Sequence, residues 1–251
     1  MATKSVKEAS SEVDFVVTMV PVGSNVREIF LEDGILAAAA PGTVMIDSST
    51  IDVGSAQAVH EAAKSAGFNM IDAPVSGGVI GADAGTLTFM CGGDKESFEK
   101  AKPILQGMGK NIVHCGSGGL GQATKICNNM LAGINALAAA EAMTMGERLG
   151  VSPDILYEVI STSTGRSYIF ETSNPMPDVC STSPANNKFK PGFMAKLMLK
   201  DLRLSQAAAQ DAKKSTPLGA AATAAFQQLI DSGFGDLDTS SIIKVIKPEP
   251  K

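Results

Sequence analysis

Basic residues are too few and too scattered in this 251-residue chain for nucleic-acid binding. There are 21 Lys and Arg against 26 Asp and Glu, a net charge of -5, whereas neutralising a phosphate backbone takes clustered cations. No apolar run approaches the roughly 20 residues that span a bilayer. The nearest, residues 132–142, is broken by Asn135 and Glu141. The four cysteines, Cys91, Cys115, Cys127 and Cys180, include no C-x-x-C pair. That argues against a zinc site or a disulfide framework and points to reduced thiols in an intracellular compartment. His60 and His114 are the only histidines and have no metal-ligand partner at useful spacing, so both read as structural and no metal is expected. The first 14 residues carry neither an apolar signal core nor the Arg-rich, acid-poor pattern of a mitochondrial presequence.

With 44% hydrophobic and 19% charged residues, the chain has ample material for buried cores. Its length favours two domains. Through about residue 117, short β-branched runs (13–20, 43–49, 69–75, 86–92 and 111–116) alternate with segments of helical periodicity (25–31, 53–66 and 95–108). That alternation predicts an α/β domain, residues 1–117, with a mostly parallel sheet and helices on its faces. Beyond it strand-like runs cease. Residues 121–150 read as one long helix with apolar side chains on most faces, the buried spine of an all-α domain, residues 118–251. Further helices are expected at 153–161, 194–212, 217–232 and 240–246, with a Pro- and Asn-rich loop at 174–189.

Two motifs could carry chemistry. In Asp72-Ala-Pro-Val-Ser-Gly-Gly78 a strand leaves the sheet into small residues, at the carboxyl edge where α/β sheets gather ligands. Backbone N–H groups there, with the Ser76 hydroxyl, can receive an anion, though a plain tight turn fits the same spacing. The second is a glycine-rich turn, residues 116–121, that opens the long helix and sets Lys125 one turn inside it, with Asn128 and Asn129 at the next turn of the same face. The positive end of the helix dipole and desolvation both disfavour a charged amine there, which suits a general acid or base. A solvated lysine is the plainer alternative. Lys200-Asp201 reads as an exposed helix pair, and Met176, Met194 and Met198 as core filler.

Read together, TMVP with Asn25, DSST, DAPVSGG, GLGQATKICNN, SPANN and LKDL resemble the 3-hydroxyisobutyrate dehydrogenases of the β-hydroxyacid dehydrogenase family, over about residues 12–245. The resemblance implies a Rossmann-like domain, an NAD cofactor and a small 3-hydroxy acid oxidised to a semialdehyde in valine breakdown. Tartronate semialdehyde reductase is the close alternative activity. It implies Lys125 as the acid/base residue and Ser76, Gly77, Gly78 and Asn129 on the substrate. Val20, Pro21, Asn25, Thr50 and Lys200 would contact NAD. A homodimer or homotetramer and the mitochondrial matrix, or the cytoplasm in a bacterium, are implied in the same way.

Such enzymes open with a βαβ unit carrying G-x-G-x-x-G for the pyrophosphate. No such unit precedes the first strand here. The expectation is therefore a partial Rossmann-like domain lacking its first half, as in a truncated chain, with a bare edge strand and weakened turnover. A non-catalytic interaction protein on the same scaffold is the competing class; the retained Lys125 argues against it.

Overall fold

A strand covered on both faces needs apolar residues at successive positions, and Val44, Met45 and Ile46 meet that requirement. The computed structural model describes residues 3–32 and 34–247, which fall into two compact units, Met1–Ile126 and Cys127–Lys251. The first unit comprises α1 (Val6–Ser10), β1 (Phe15–Thr18), α2 (Gly23–Arg27, continuing as a π-helical turn), α3 (Ile35–Ala38), β2 (Val44–Asp47), α4 (Val53–Ser65), β3 (Asn69–Asp72), β4 (Val75–Ser76), α5 (Gly78–Asp83), β5 (Leu87–Gly92), α6 (Lys95–Gln106) and β6 (Gly109–Gly116). It closes with the start of α7 (Leu120–Arg148).

β2 is buried throughout, and its side chains alternate between two cores. Val44 and Ile46 join Ile71, Phe89 and, from α6, Phe98, Ala101 and Leu105. Met45 joins Met70, Val59 and Ala63 of α4, and Val26 and Phe30. The result is a sheet with helices on both faces. Aspartates set the start of both large helices: Asp52 and Asp94 accept the Ser55 and Ser97 N–H groups at 2.7 and 2.8 Å.

β1, β2 and β3 are parallel and in register, so that Thr18, Asp47 and Asp72 end them side by side. The sheet is mixed, however. β5 runs antiparallel to β3 and β4, and parallel to β6. The run at 69–75, read from sequence as one strand, divides at Ala73-Pro74, and the chain turns back where Gly77 and Gly78 take φ of +136° and +61°. Both values suit glycine, and a Cβ at Gly77 would lie 3.0 Å from Leu87 Cδ2. Among the described residues β1 pairs only with β2.

The second unit is helical. It holds most of α7, then α8 (Pro153–Ser161), α9 (Tyr168–Thr172), α10 (Ala195–Asp211), α11 (Pro217–Asp231) and α12 (Ile243–Ile246), with short 3-10 turns at Pro184–Asn187 and Thr239–Ile242. Pro153 and Pro217 open their helices where a missing N–H is harmless. Ala136, Ala139, Ala140 and Met143 of α7 pack on Met198, Leu202, Phe226 and Leu229. Gly133 admits the close approach, since a Cβ there would come within 3.0 Å of Leu202. The expectation that α7 is buried on most faces is corrected: its apolar residues Leu131 and Met145 are 57% and 64% exposed, so this chain covers a single stripe. No helix among the described residues is long and apolar enough to cross a membrane.

Candidate active site

The level carboxyl ends of β1, β2 and β3 fix the first part of the site. Asp47 Oδ1 accepts the hydroxyls of Thr18 and Ser49 at 2.8 and 2.7 Å, and Ser49 Oγ in turn accepts the Val20 N–H at 2.8 Å. The loop that begins with Val20 and Pro21 is thereby tied to the end of β2. Burial raises the pKa of the Asp47 carboxyl; the hydrogen bonds from Ser49 and Thr18 oppose that shift, and the Asp72 charge adds to it. Asp47 Oδ2 and the Ser48 hydroxyl are buried without a hydrogen-bond partner among the described residues. Beyond the strand ends Met19, Pro21 and Val22 are exposed, and Asn25 and Thr50 are half-buried.

Asp72 does a different task at the end of β3. Fully buried, it accepts the Gly119 N–H on Oδ1 and the Gln122 N–H on Oδ2, at 2.7 and 2.8 Å. His60 Nε2 lies 2.8 Å from Oδ1. The residues Gly116-Ser117-Gly118-Gly119-Leu120-Gly121 have the spacing of a phosphate-cradling turn at a helix start, but the cradle is filled from within. A Cβ at Gly118 would strike the His60 ring, and at Gly119 the side chains of Gln57 and Val53. At Gly121 it would overlap the Met90 carbonyl. A carboxylate of the chain itself takes the place an anion would occupy at the start of α7. His114, the other histidine, stacks on Phe98 and bonds the Gly93 carbonyl at 2.8 Å.

Of the residues singled out from sequence, Lys125 is buried at 7% exposure, one turn beyond the helix start that Asp72 holds. Val20 and Thr50 belong to segments joined to that helix start, through Ser49 and through Gln122, whose side chain bonds Ser49 O and Ile51 N–H. Ser76, Gly77 and Gly78 stand outside this network at the bend between β4 and α5; Ser76 is half-buried and both glycines are exposed.

In the second unit Asn129 is 3% exposed and donates Nδ2 to Asp201 Oδ2 at 2.5 Å. Its Oδ1 accepts from the exposed Asn128 at 2.9 Å. Lys200 Nζ lies 3.2 Å from Asp201 Oδ1. Lys200-Asp201 is thus no exposed surface pair, because Asp201 is 2% accessible and orients Asn129. Sequence reading assigned no role to Asp47, Asp72 or Gln122 and took Asp201 for half of a surface pair. The first two had a signal, Met-Ile-Asp repeated at the ends of two successive strands. No group of three or more metal-ligating side chains occurs among the described residues.

Residues 1–116 match the NAD-binding domain of 6-phosphogluconate dehydrogenase, and residues 119–246 the NAD-binding domain of NADP-dependent 3-hydroxyisobutyrate dehydrogenase. A Rossmann-like unit followed by a helical unit, both matching NAD-binding families, makes the chain an NAD-binding oxidoreductase. Among solved structures, Mycobacterium tuberculosis 3-hydroxyisobutyrate dehydrogenase with L-serine has a TM-score of 0.92 and 44% identity, covering 98% of this chain and 83% of that one. NAD-dependent L-serine dehydrogenase of Pseudomonas aeruginosa is 43% identical over 98% of this chain and 83% of its own length. The mitochondrial 3-hydroxyisobutyrate dehydrogenase of Drosophila melanogaster is 40% identical over 96% and 74%. The chain belongs to the 3-hydroxyisobutyrate dehydrogenase family.

Proposed function

We propose that the chain oxidises the primary alcohol of 3-hydroxyisobutyrate to methylmalonate semialdehyde, a step of valine breakdown. Bound NAD supplies the acceptor for the hydride that leaves the alcohol carbon. The reading rests on the buried Lys125, whose amine takes the hydroxyl proton as the carbonyl forms. Ser76 and the N–H groups at Gly77 and Gly78 hold the substrate carboxylate, which the two successive positive-φ glycines favour. Asn129, oriented by Asp201, bonds the substrate. Val20, Pro21, Asn25, Thr50 and Lys200 contact NAD. The exposed apolar Met19, Pro21 and Val22 fit a flat ring at the end of β1, and the half-buried Asn25 and Thr50 fit its polar edge. Holding alcohol and ring in one orientation provides much of the acceleration.

L-Serine, which appears in the names of the Pseudomonas aeruginosa relative and the Mycobacterium tuberculosis structure, carries an ammonium where 3-hydroxyisobutyrate carries a methyl group. The ratio of kcat/KM for the two substrates tests the choice: an apolar wall favours 3-hydroxyisobutyrate and an acidic one serine. Lys125→Ala tests the mechanism. It is expected to lower kcat by about 10²- to 10⁴-fold with NADH affinity unchanged, and an undiminished kcat would remove the role. The exposed Leu131 and Met145 of α7 and Ile155 and Val159 of α8 support a homodimer or homotetramer, which light scattering of the eluting protein measures. The compartment that accompanies this reading is the mitochondrial matrix, with the cytoplasm the bacterial alternative.

A further inference from the structure

Gln122 is fully buried, and each polar group of its side chain has a backbone partner on the same short segment. Nε2 donates to the Ser49 carbonyl at 2.7 Å, and Oε1 accepts the Ile51 N–H at 3.0 Å. In a parallel sheet a residue donates to the carbonyl before its opposite number and accepts from the N–H after it. The Gln122 amide therefore stands opposite Thr50 as a residue of a parallel strand would. Its own backbone N–H is fixed by Asp72 at 2.8 Å, and Lys125 follows three residues later on α7.

We propose that Gln122 is a positioning residue that sets Thr50, and with it the bound cofactor, in register with the helix that carries Lys125. The inference rests on the reading of Thr50 as a cofactor contact. No other side chain serves equally. Asn is one methylene short, Met has the length without the hydrogen bonds, and an ionised Glu presents an oxygen to the Ser49 carbonyl. A protonated Glu, with one O–H and one C=O, restores both bonds.

The test uses the whole chain and two readouts independent of turnover: NADH affinity from its fluorescence, and amide hydrogen exchange of the peptide containing residues 49–52. Gln122→Met is expected to weaken NADH binding about tenfold, the effect of about 1.4 kcal/mol, and to speed exchange in that peptide while the α6 peptide keeps wild-type protection. Gln122→Glu is expected to bind like the wild type near pH 6 and to weaken progressively toward pH 8.5, as the buried carboxyl ionises. A variant destabilised for other reasons would not recover with acid, and this arm serves if Gln122→Met fails to fold. Wild-type affinity in Gln122→Met, or a loss in Gln122→Glu that does not change with pH, overturns the proposal. Thr50→Val separates the two readings. If it binds NADH normally, the assignment of Thr50 has failed; if it weakens binding and Gln122→Met does not, the positioning role alone has failed.

Discussion

Replacing Asp72 by Asn keeps the shape of the side chain and removes its ability to accept on both oxygens. In the wild type Oδ1 receives His60 and Gly119, and Oδ2 receives Gln122. In the cheaper orientation the amide oxygen keeps the first two partners, and its NH₂ meets the Gln122 N–H, donor against donor. An orphaned buried N–H costs roughly 1–3 kcal/mol. The two surviving bonds fall from charge-assisted to neutral strength, a loss of about 1 kcal/mol each. The sum is about 3–5 kcal/mol, spent at the start of α7. Chemical denaturation followed by circular dichroism measures the total. Because the chain has two units, one midpoint need not describe it, so hydrogen exchange of the peptide containing Gly119 and Gln122 gives the local reading. A loss below about 1 kcal/mol, or wild-type protection in that peptide, would refute the claim that this carboxylate holds the helix start.

Two further outcomes follow from the buried groups. The folded-state pKa of Asp47 is raised above its ordinary 3.8, chiefly by burial, so the folded form holds that proton more tightly than the unfolded one. Its contribution to stability is present below about pH 4 and is lost as pH rises through the folded value. Asp47→Asn should therefore gain on the wild type with rising pH, read from urea midpoints at several pH values; parallel curves would contradict the shift. Burial first, then the neighbouring Cys115 and Asp72, push the Cys91 thiol up to about 12. At pH 8 its thiolate fraction is on the order of 10⁻⁴, so iodoacetamide should label the exposed Cys127 long before Cys91, as mass spectrometry of the native protein would show. Early labelling of Cys91 would contradict its burial.

The regular parts of the fold were legible because their periodicity is local. The β2–α4–β3 unit, α6 and α7 lie close to the segments that strand and helix spacing marked. The antiparallel course of β5 was not, since it depends on two glycines with positive φ and on β4, a strand of two residues, too short to show alternation. Lys125 and the Ser-Gly-Gly bend stood out as unusual residues at helix and strand ends. Asp201 did not, because a Lys-Asp pair on a helix looks the same buried or exposed, and only the packing of α10 decides. Gln122 was invisible for a similar reason: its partners lie 71 and 73 residues away in sequence.

The self-filled turn at residues 116–121 shows that a glycine spacing can outlive or imitate its usual guest. With Asp72 in place, sulfate or phosphate in a crystallisation medium finds no vacancy there, and a search for nucleotide sites by pattern would settle on a turn that the chain's own carboxylate already occupies. Cutting Asp72 back to glycine would leave inward-facing amides around an empty socket, and an inorganic oxyanion could then lodge where the tethered carboxylate used to sit.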